Sequence, residues 1–277
     1  MILKQVRVLR EIGDAMRVLC CLLLGWSVLL SGCGKSKKNA VAQIKTSSAP
    51  AKVDEDAVAA IKKLGGKVEI EKNFLHDVEY VAKVDLSQAN ATDAVWVHLK
   101  GLTSLRDLRL GGTITDAGLV HLRGLTSLTV LTLRSTKVTD RGLVHLKGLK
   151  SLITLFLHDT EVTDAGLVHL DELTSLQMLD ISGTKVTGTG LVQLKTLTNL
   201  YTLLLGPKVS DAGLVHLKLL TSLKMLSLHR NNKVTDAGLV HLKDRTSLQS
   251  LYLQGTSVTT AGVSDLQSAL PKCRIHK

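Results

Sequence analysis

The sequence predicts an α/β solenoid, in which short units of strand, turn and helix stack in a row and share one core. Self-similarity is the first observation: the segment TDAGLVHL starts at Thr115, recurs intact at Thr163 and Thr235, and recurs with small changes elsewhere. The repeat period is about 24 residues, which is typical of repeat architectures. Leucine must supply the core, because the chain holds only two Phe, three Tyr and two Trp.

The unit 128–151 shows how each repeat is built. Leu131 and Leu133 alternate with other residues, which is the period of a strand with one buried face. Thr139 and Asp140 then offer side-chain oxygens that can cap free backbone N–H groups at a helix start. Further leucines follow at a three-residue spacing, at Leu143, Leu146 and Leu149. Neither half can close a core alone, so successive units must stack and share their leucines.

Aligning the leucines divides most of the chain into eight units: 81–104, 105–127, 128–151, 152–175, 176–199, 200–222, 223–247 and 248–270. Residues 54–80 combine a helical pattern with an alternating one and are interpreted as an N-terminal cap. Residues 271–277 are interpreted as a C-terminal cap, in which Pro271 stops the last helix and 273–276 adds a closing strand.

Seven glycines recur inside the first helical turn of the units: Gly118, Gly142, Gly166, Gly190, Gly213, Gly238 and Gly262. Glycine inside a helix costs about 1 kcal/mol relative to alanine. The repetition therefore predicts a turn packed so tightly on its neighbour that a Cβ atom would clash.

These residues resemble the leucine-rich repeat over 81–270, and the pattern is most similar to the helix-bearing, internalin-like subclass of extracellular bacterial proteins. The resemblance implies a horseshoe with a parallel β-sheet on its concave face and short helices on its convex face. Many members carry Asn or Cys after the strand, whereas this chain carries threonines, at Thr113, Thr136, Thr160, Thr184 and Thr256. Their hydroxyls are expected to take over the backbone hydrogen bonds of the inner turn.

The N-terminus carries a pattern of export. Basic residues within 1–17 precede an apolar run, Val18–Leu30, which is too short to span a bilayer comfortably. Leu30-Ser31-Gly32-Cys33 resembles a bacterial lipobox, which implies a signal peptide over 1–32, a lipidated Cys33 and a flexible linker over 33–53. The alternatives are a plain buried helix or an uncleaved anchor, and translation could start at Met1 or at Met16. The sequence therefore predicts an exported protein that is lipid-anchored to the cell membrane or outer membrane.

The net charge of the chain indicates which classes of partner are favourable, but it does not identify one of them. The formal net charge of +11 favours nucleic acid, an anionic membrane or an acidic polymer. Basic residues are scattered through every unit, and export removes the usual nucleic-acid partner, so no nucleic acid is expected. Only Cys273 remains in the body of the chain, which leaves a monomer without an internal disulfide. We expect a monomer.

Candidate binding residues come from the resemblance, because the non-leucine strand positions of such repeats project from the concave face. Eight strands at ~4.8 Å spacing make a surface roughly 35–40 Å long, which suits a protein or polymer. An aromatic and methionine patch with basic neighbours is typical of a protein interface. The predicted partner-binding residues are Arg109, Arg134, Phe156, His158, Met178, Asp180, Leu204, Met225, His229 and Tyr252.

Catalysis and metal binding are not predicted. The sequence contains no G-x-S-x-G, Walker A, H-E-x-x-H or paired-cysteine motif, so no enzyme activity, cofactor or metal is expected. The repeated aspartates lie at helix starts, where capping and the helix dipole explain them. A column of histidines recurs on the helices, at His98, His121, His145, His169, His216 and His241. Helices ~8–10 Å apart hold these imidazoles too far apart for one zinc ion.

The predicted function is a non-catalytic protein–protein interaction module, anchored to the cell envelope and binding through its concave face. One alternative is an envelope scaffold that binds an anionic polymer such as peptidoglycan. Another is an intracellular F-box-type substrate receptor of a ubiquitin ligase, since related repeats serve that role, but the lipobox and the absence of a recognisable F-box segment argue against it.

Overall fold

The computed structural model describes residues 53–73, 78–89 and 92–277. The chain divides into two units, 1–47 and 48–277, and all described residues belong to the second. The predicted signal peptide, Cys33 and the linker up to residue 52 lie outside the described residues. Within the described ranges, no helix combines the length and apolar character needed to cross a bilayer.

One sheet runs through the whole described unit, with its strands in chain order. The first two strands, β1 (Lys67–Asn73) and β2 (Val78–Asp85), are antiparallel, and every later pair is parallel. The later strands are β3 (Asp107–Arg109), β4 (Val130–Thr132), β5 (Thr154–Phe156), β6 (Met178–Asp180), β7 (Thr202–Leu204), β8 (Met225–Ser227), β9 (Ser250–Tyr252) and β10 (Arg274–His276). The central residue of each strand from β3 to β9 is a fully buried leucine.

The first helix precedes β1 in the chain, and the other helices lie between strands. The α-helices are α1 (Glu55–Lys63), α2 (Trp96–Leu99), α3 (Asp116–Leu119), α4 (Asp140–Leu143), α5 (Asp211–Leu214), α6 (Asp236–Leu239) and α7 (Thr260–Ala269). The 3₁₀ helices are Asp93–Val95, Val120–Gly124, Val144–Leu146, Asp164–Leu170, Thr189–Thr196, Val215–Leu219 and Val240–Leu242. Their leucines complete a continuous core with the strand leucines, which confirms the predicted α/β solenoid.

Threonine closes the turn that follows several of the strands. The hydroxyls of Thr136, Thr160 and Thr184 donate to the backbone carbonyl three residues earlier, at 2.7, 2.7 and 2.6 Å. These three side chains are buried, so the hydrogen bonds satisfy carbonyls that water does not reach. The expected role of the threonines is therefore confirmed at these positions.

The recurring glycine makes room for the neighbouring repeat. A Cβ atom on Gly142, Gly166, Gly238 or Gly262 would overlap the carboxylate of the aspartate at the start of the preceding helix. The clash expected from the sequence is confirmed, and the structure identifies the group that would be struck. Side chains larger than hydrogen would push successive repeats apart.

Each of those aspartates bonds to the next repeat. Asp140 Oδ1 accepts from the backbone N–H of Thr163 at 2.8 Å, and Oδ2 accepts from the Thr163 hydroxyl at 2.6 Å. The Thr163 hydroxyl in turn accepts from Ala165 N–H, 3.2 Å away, and so caps its own helix. This arrangement resembles a capping box whose acidic member is supplied by the previous repeat.

The sequence interpretation of these aspartates therefore needs a correction. They were expected to act as caps at the starts of their own helices, but threonine fills that role and the aspartate bridges to the following repeat. The same bridge joins Asp93 to Thr115, Asp116 to Thr139, Asp164 to Thr187, Asp211 to Thr235 and Asp236 to Thr259. We call this series the Asp–Thr ladder.

The ladder is interrupted once among the described repeats. Gly188 occupies the position of the bridging aspartate, and its φ of 115° lies in the left-handed region. Ser210, at the next threonine position, makes no side-chain cap. A Cβ on Gly188 would lie 2.7 Å from Gly213 Cα, so backbone-to-backbone packing replaces the bridge at this joint.

Substituting the recurring glycine tests the packing between repeats. Gly166→Ala should lower the free energy of unfolding by about 1–3 kcal/mol, since the added methyl group overpacks the joint. Gly148→Ala is the matched control, because nothing lies within 4 Å of a Cβ there, and stability should be unchanged or slightly higher. Urea unfolding of both variants measures the difference. Equal stability of the two variants would contradict the steric explanation.

Candidate protein-binding surface

Strand register aligns the predicted binding positions into columns along the concave face of the sheet. The central column contains Asp85, Arg109, Thr132, Phe156, Asp180, Leu204, Ser227 and Tyr252, each in register with the next. His276 on β10 extends this column beyond Tyr252. The alignment expected from the repeat pattern is confirmed, although the use of these residues in binding remains a prediction.

Two of the predicted contact residues are not exposed. Met178 is only 5% exposed and Asp180 only 8%, which corrects the expectation that these positions project freely into solvent. Met178 lies in register between Thr154 and Thr202, which are also buried. Side chains on adjacent parallel strands stand ~4.8 Å apart and cover one another.

The apolar surface left on this face is smaller than expected. Phe156, Leu204 and Met225 are half-buried, as is Tyr252. The ring of Tyr252 stacks on His276, with centroids 4.6 Å apart and planes 9° from parallel, so one of its faces is covered. Among the predicted apolar contacts, Phe156, Leu204 and Met225 are therefore the side chains that are neither buried nor stacked on another ring.

The predicted basic residues differ in their exposure to solvent and in the contacts that their side chains already make. Arg109 is held in its own strand by Asp107, with Nε–Oδ1 and Nη2–Oδ2 distances of 3.2 and 2.9 Å. Arg134 is exposed. Burial, and then the charge of Arg230, lower the pKa of His229, and its Nδ1 has no hydrogen-bond partner among the described residues. Arg134 is thus the basic residue most available to a partner.

His158 and Asp180 are joined by a short hydrogen-bond chain. Ser182 Oγ lies 2.5 Å from Asp180 Oδ1 and 2.6 Å from His158 Nδ1. The backbone N–H of Ser182 donates to the same Asp180 oxygen at 2.9 Å. On the other side of the imidazole ring, His158 Nε2 lies 2.9 Å from Asp159 Oδ2. The chain thus links four side chains on two neighbouring repeats.

The hydroxyl of Ser182 carries one proton and can donate to only one of its two neighbours. When it donates to ionised Asp180, His158 Nδ1 must bear a proton. When it donates to Nδ1, Asp180 must bear the proton instead. The position of the Ser182 proton is therefore tied to whether Asp180 is ionised.

Burial sets the acidity of Asp180. Removal from water raises the pKa of its carboxyl above the ordinary 3.8, and the hydrogen bonds from Ser182 and the charges of His158 and Arg134 offset only part of this effect. Its ionised form is therefore unfavourable in the folded protein. A residue that costs stability in this way is a candidate for function.

Asp85 makes the same hydrogen bonds to a serine two residues later, but it is less buried than Asp180, and its pKa shifts the other way. It accepts from the backbone N–H and hydroxyl of Ser87 at 3.0 and 2.6 Å. Burial is the largest single influence and raises the pKa of Asp85, but the Ser87 hydrogen bonds and the charges of Arg109 and Lys83 together outweigh it, so the pKa is lowered. The two carboxyls thus shift in opposite directions.

Sequence analysis missed Ser182 and Asp159 as members of the site. A signal was present, because the Asp-x-Ser pattern occurs at Asp85 to Ser87 and again at Asp180 to Ser182. In a strand, residues two apart lie on the same face. Asp159 gives no comparable signal, since its contact with His158 depends on a left-handed backbone with φ of 55°.

The histidines of the helix column contact neighbouring repeats. The rings of His121 and Trp96 stack with centroids 6.2 Å apart, and His145 Nδ1 lies 2.8 Å from an Arg123 guanidinium nitrogen. Burial, followed by the charge of Arg123, lowers the pKa of His145. Within the described ranges, no group of three or more His, Cys, Asp or Glu side chains is arranged to hold a metal ion.

Comparison with known proteins identifies the fold. No protein-family model and no curated protein matches this chain. Internalin C2 of Listeria monocytogenes is 24% identical with a TM-score of 0.55, over 80% of this chain and 93% of that structure. Internalin F of the same organism is 24% identical with a TM-score of 0.54, over 65% of this chain and 49% of that structure. The fold is a leucine-rich-repeat solenoid, as the repeat pattern indicates.

The opposite pKa shifts of Asp180 and Asp85 give a paired test. Asp180→Asn should be more stable than the wild type at neutral pH, since a raised folded-state pKa means that ionisation costs stability above 3.8. Asp85→Asn should be less stable at neutral pH, since its lowered pKa stabilises the ionised form. Both differences should vanish as the pH falls below these carboxyl ranges. Thermal unfolding across pH measures them, and a stability loss in both variants at neutral pH would contradict the assignment for Asp180.

Proposed function

We propose that this protein is a non-catalytic binding module that holds a protein partner on its concave face. The central column carries the proposal: Phe156 and Leu204 lie on either side of Asp180 on three neighbouring strands. Two half-buried apolar anchors thus flank a buried carboxyl. Protein interfaces combine such anchors with a few polar groups that fix orientation.

The hydrogen-bond chain around Asp180 supports this proposal. Burial disfavours the ionised form of Asp180. Ser182 holds the carboxyl in place at a short distance, and His158 in turn bonds to Ser182. Pre-positioned polar groups lower the ordering cost that binding would otherwise carry. Arg134 and His158 then provide polar contacts beside the apolar anchors.

We also propose that the module is exported and attached to the envelope through lipid on Cys33. The basic segment, apolar run and lipobox-like residues support this address. In this arrangement 33–53 is the tether, 54–80 the N-terminal cap, 81–270 the repeats and 271–277 the C-terminal cap. The module acts as a monomer at the membrane surface.

Two alternatives lead to different experiments. An envelope scaffold for an anionic polymer such as peptidoglycan would bind through its positive charge, and its binding would be lost at moderate salt. An F-box-type substrate receptor would require a cytoplasmic location. The polymer scaffold does not depend on Phe156 and Leu204 as anchors, and the substrate receptor is distinguished by its location.

Replacing both anchors tests the concave face. Phe156→Ser/Leu204→Ser should reduce capture of the partner from an envelope extract by at least about tenfold, because such anchors carry most of the binding energy. The double variant should still unfold cooperatively, since both side chains are only half-buried. Quantitative mass spectrometry of the captured proteins measures the loss.

The matched control is Val168→Ser/Val240→Ser, which removes two exposed apolar side chains from the helix side of the solenoid. It should capture the partner as well as the wild type does. Equal capture by the control and the anchor variant would contradict binding of the partner through the concave face.

Metabolic labelling tests the envelope address separately. A palmitate analogue should label the wild-type chain, and Cys33→Ala should lose the label because no acceptor thiol remains at the lipobox-like segment. Cys273→Ala is the control and should be labelled normally, since Cys273 is buried. Labelling that persists in Cys33→Ala would overturn the proposed anchor.

A further inference from the structure

The helix side of the solenoid carries exposed apolar side chains in a row. Valine precedes histidine in six of the eight units. The exposed fractions of five of these valines are 74% for Val97, 39% for Val120, 38% for Val144, 39% for Val168 and 55% for Val240. No residue of the concave columns reaches this exposure among the described large hydrophobic side chains. Contiguous apolar exposure on a folded protein usually marks a contact surface.

A basic residue follows each of the first three valines at a spacing of three: Lys100, Arg123 and Lys147. Residues three apart are eclipsed in a 3₁₀ helix and adjacent in an α-helix, so each valine lies beside a positive charge. We call these six residues, Val97, Lys100, Val120, Arg123, Val144 and Lys147, the convex patch. It combines apolar and cationic side chains on three successive helices.

Beyond repeat three, an exposed valine no longer lies beside a positive charge that is free of an ion pair. In repeats five and six, Lys195 and Lys218 follow Val192 and Val215, which are only half-buried rather than exposed. Asp171 takes the place of the basic residue in repeat four and is followed by Glu172. Lys243 in repeat seven is paired with Asp265 at 2.7 Å. Within the described residues, Lys100 and Lys147 make no ion pair. An exposed valine and a basic residue that makes no ion pair with a carboxylate therefore coincide in repeats one to three.

The aspartates of the same helices do not cancel this charge locally. Asp93, Asp116 and Asp140 are half-buried at the helix starts and bond to the threonine of the next repeat. The convex patch lies at or beyond the opposite end of each helical turn. Arg123 remains exposed even though it contacts His145.

We infer that the convex patch docks on an anionic phospholipid surface. Lysine and arginine attract anionic headgroups, and adjacent apolar side chains enter the boundary between headgroups and acyl chains. A soluble polyanion would match the charges but would leave the valines in water. A surface that offers both negative charge and an apolar layer satisfies both halves of the patch.

The position of the patch supports a membrane as the occupant. Helix α1 contacts α2, which carries Val97, so the patch lies at the end of the solenoid where the described chain begins. The proposed Cys33 anchor, on which the choice of a membrane partly rests, would bring that end close to the bilayer. Docking would leave the concave columns open to a partner.

Lysine acylation on vesicles tests the docking site. The full chain is mixed with vesicles of equimolar phosphatidylglycerol and phosphatidylcholine, or of phosphatidylcholine alone, and acylation rates are measured by mass spectrometry. On the anionic vesicles, Lys100 and Lys147 should react about fivefold more slowly than on neutral ones, as expected for basic residues at a charged surface. Lys195 is the internal control and should react at the same rate on both. Uniform protection, or none, would overturn the proposal.

Variants separate the patch from general charge. Val120→Ser/Arg123→Gln should restore rapid acylation of Lys100 and Lys147 on anionic vesicles, whereas Val215→Ser/Lys218→Gln, the same change in repeat six, should leave them protected. Equal effects of the two variants would refute the patch as the contact. Protection by soluble polyphosphate equal to that by anionic vesicles would overturn the membrane assignment in favour of a polyanion.

The Cys33→Ala chain separates docking from anchoring. Protection of Lys100 and Lys147 on anionic vesicles that survives this substitution supports the convex patch even if the lipid anchor fails. Loss of that protection in the unanchored chain, together with equal protection on both vesicle types in the anchored chain, would mean that the tether alone holds the protein and would overturn the patch.

Discussion

The close approach of successive repeats is the constraint on which the rest of the structure depends. No repeat can bury its own leucines, so each must lie against the next. The missing Cβ at positions such as Gly166 leaves space for the aspartate of the preceding helix, and that aspartate bonds to the threonine of the following one. Steric fit and hydrogen bonding thus fix the same spacing.

That spacing also determines the candidate binding surface. Because the strands stay in register, residues separated by a whole repeat become neighbours, as Phe156, Asp180 and Leu204 do. The same closeness buries Asp180 and joins it to His158 through Ser182. A polar chain of this kind needs two adjacent repeats, so a single unit could not hold it.

The two sides of the solenoid differ in what the repeat leaves exposed. Parallel strands ~4.8 Å apart partly cover one another's side chains, and most residues of the central column are therefore half-buried. The helices present valine and a basic residue outward, so the more exposed apolar side chains, such as Val97, lie on the helix side. A concave partner and a convex surface can consequently be bound without competing.

The sequence by itself determined the repeat unit, its strand and helix, the role of the glycines and the columns of the sheet, because period and polarity are local properties. Only the tertiary structure decided which column members are accessible. Met178 and Asp180 are buried by residues a full repeat away, and the bridging aspartates act on the following repeat rather than on their own helices. The repeat pattern predicts which residues become neighbours, but it does not specify which of their atoms come into contact. Burial and hydrogen bonding depend on those atomic contacts.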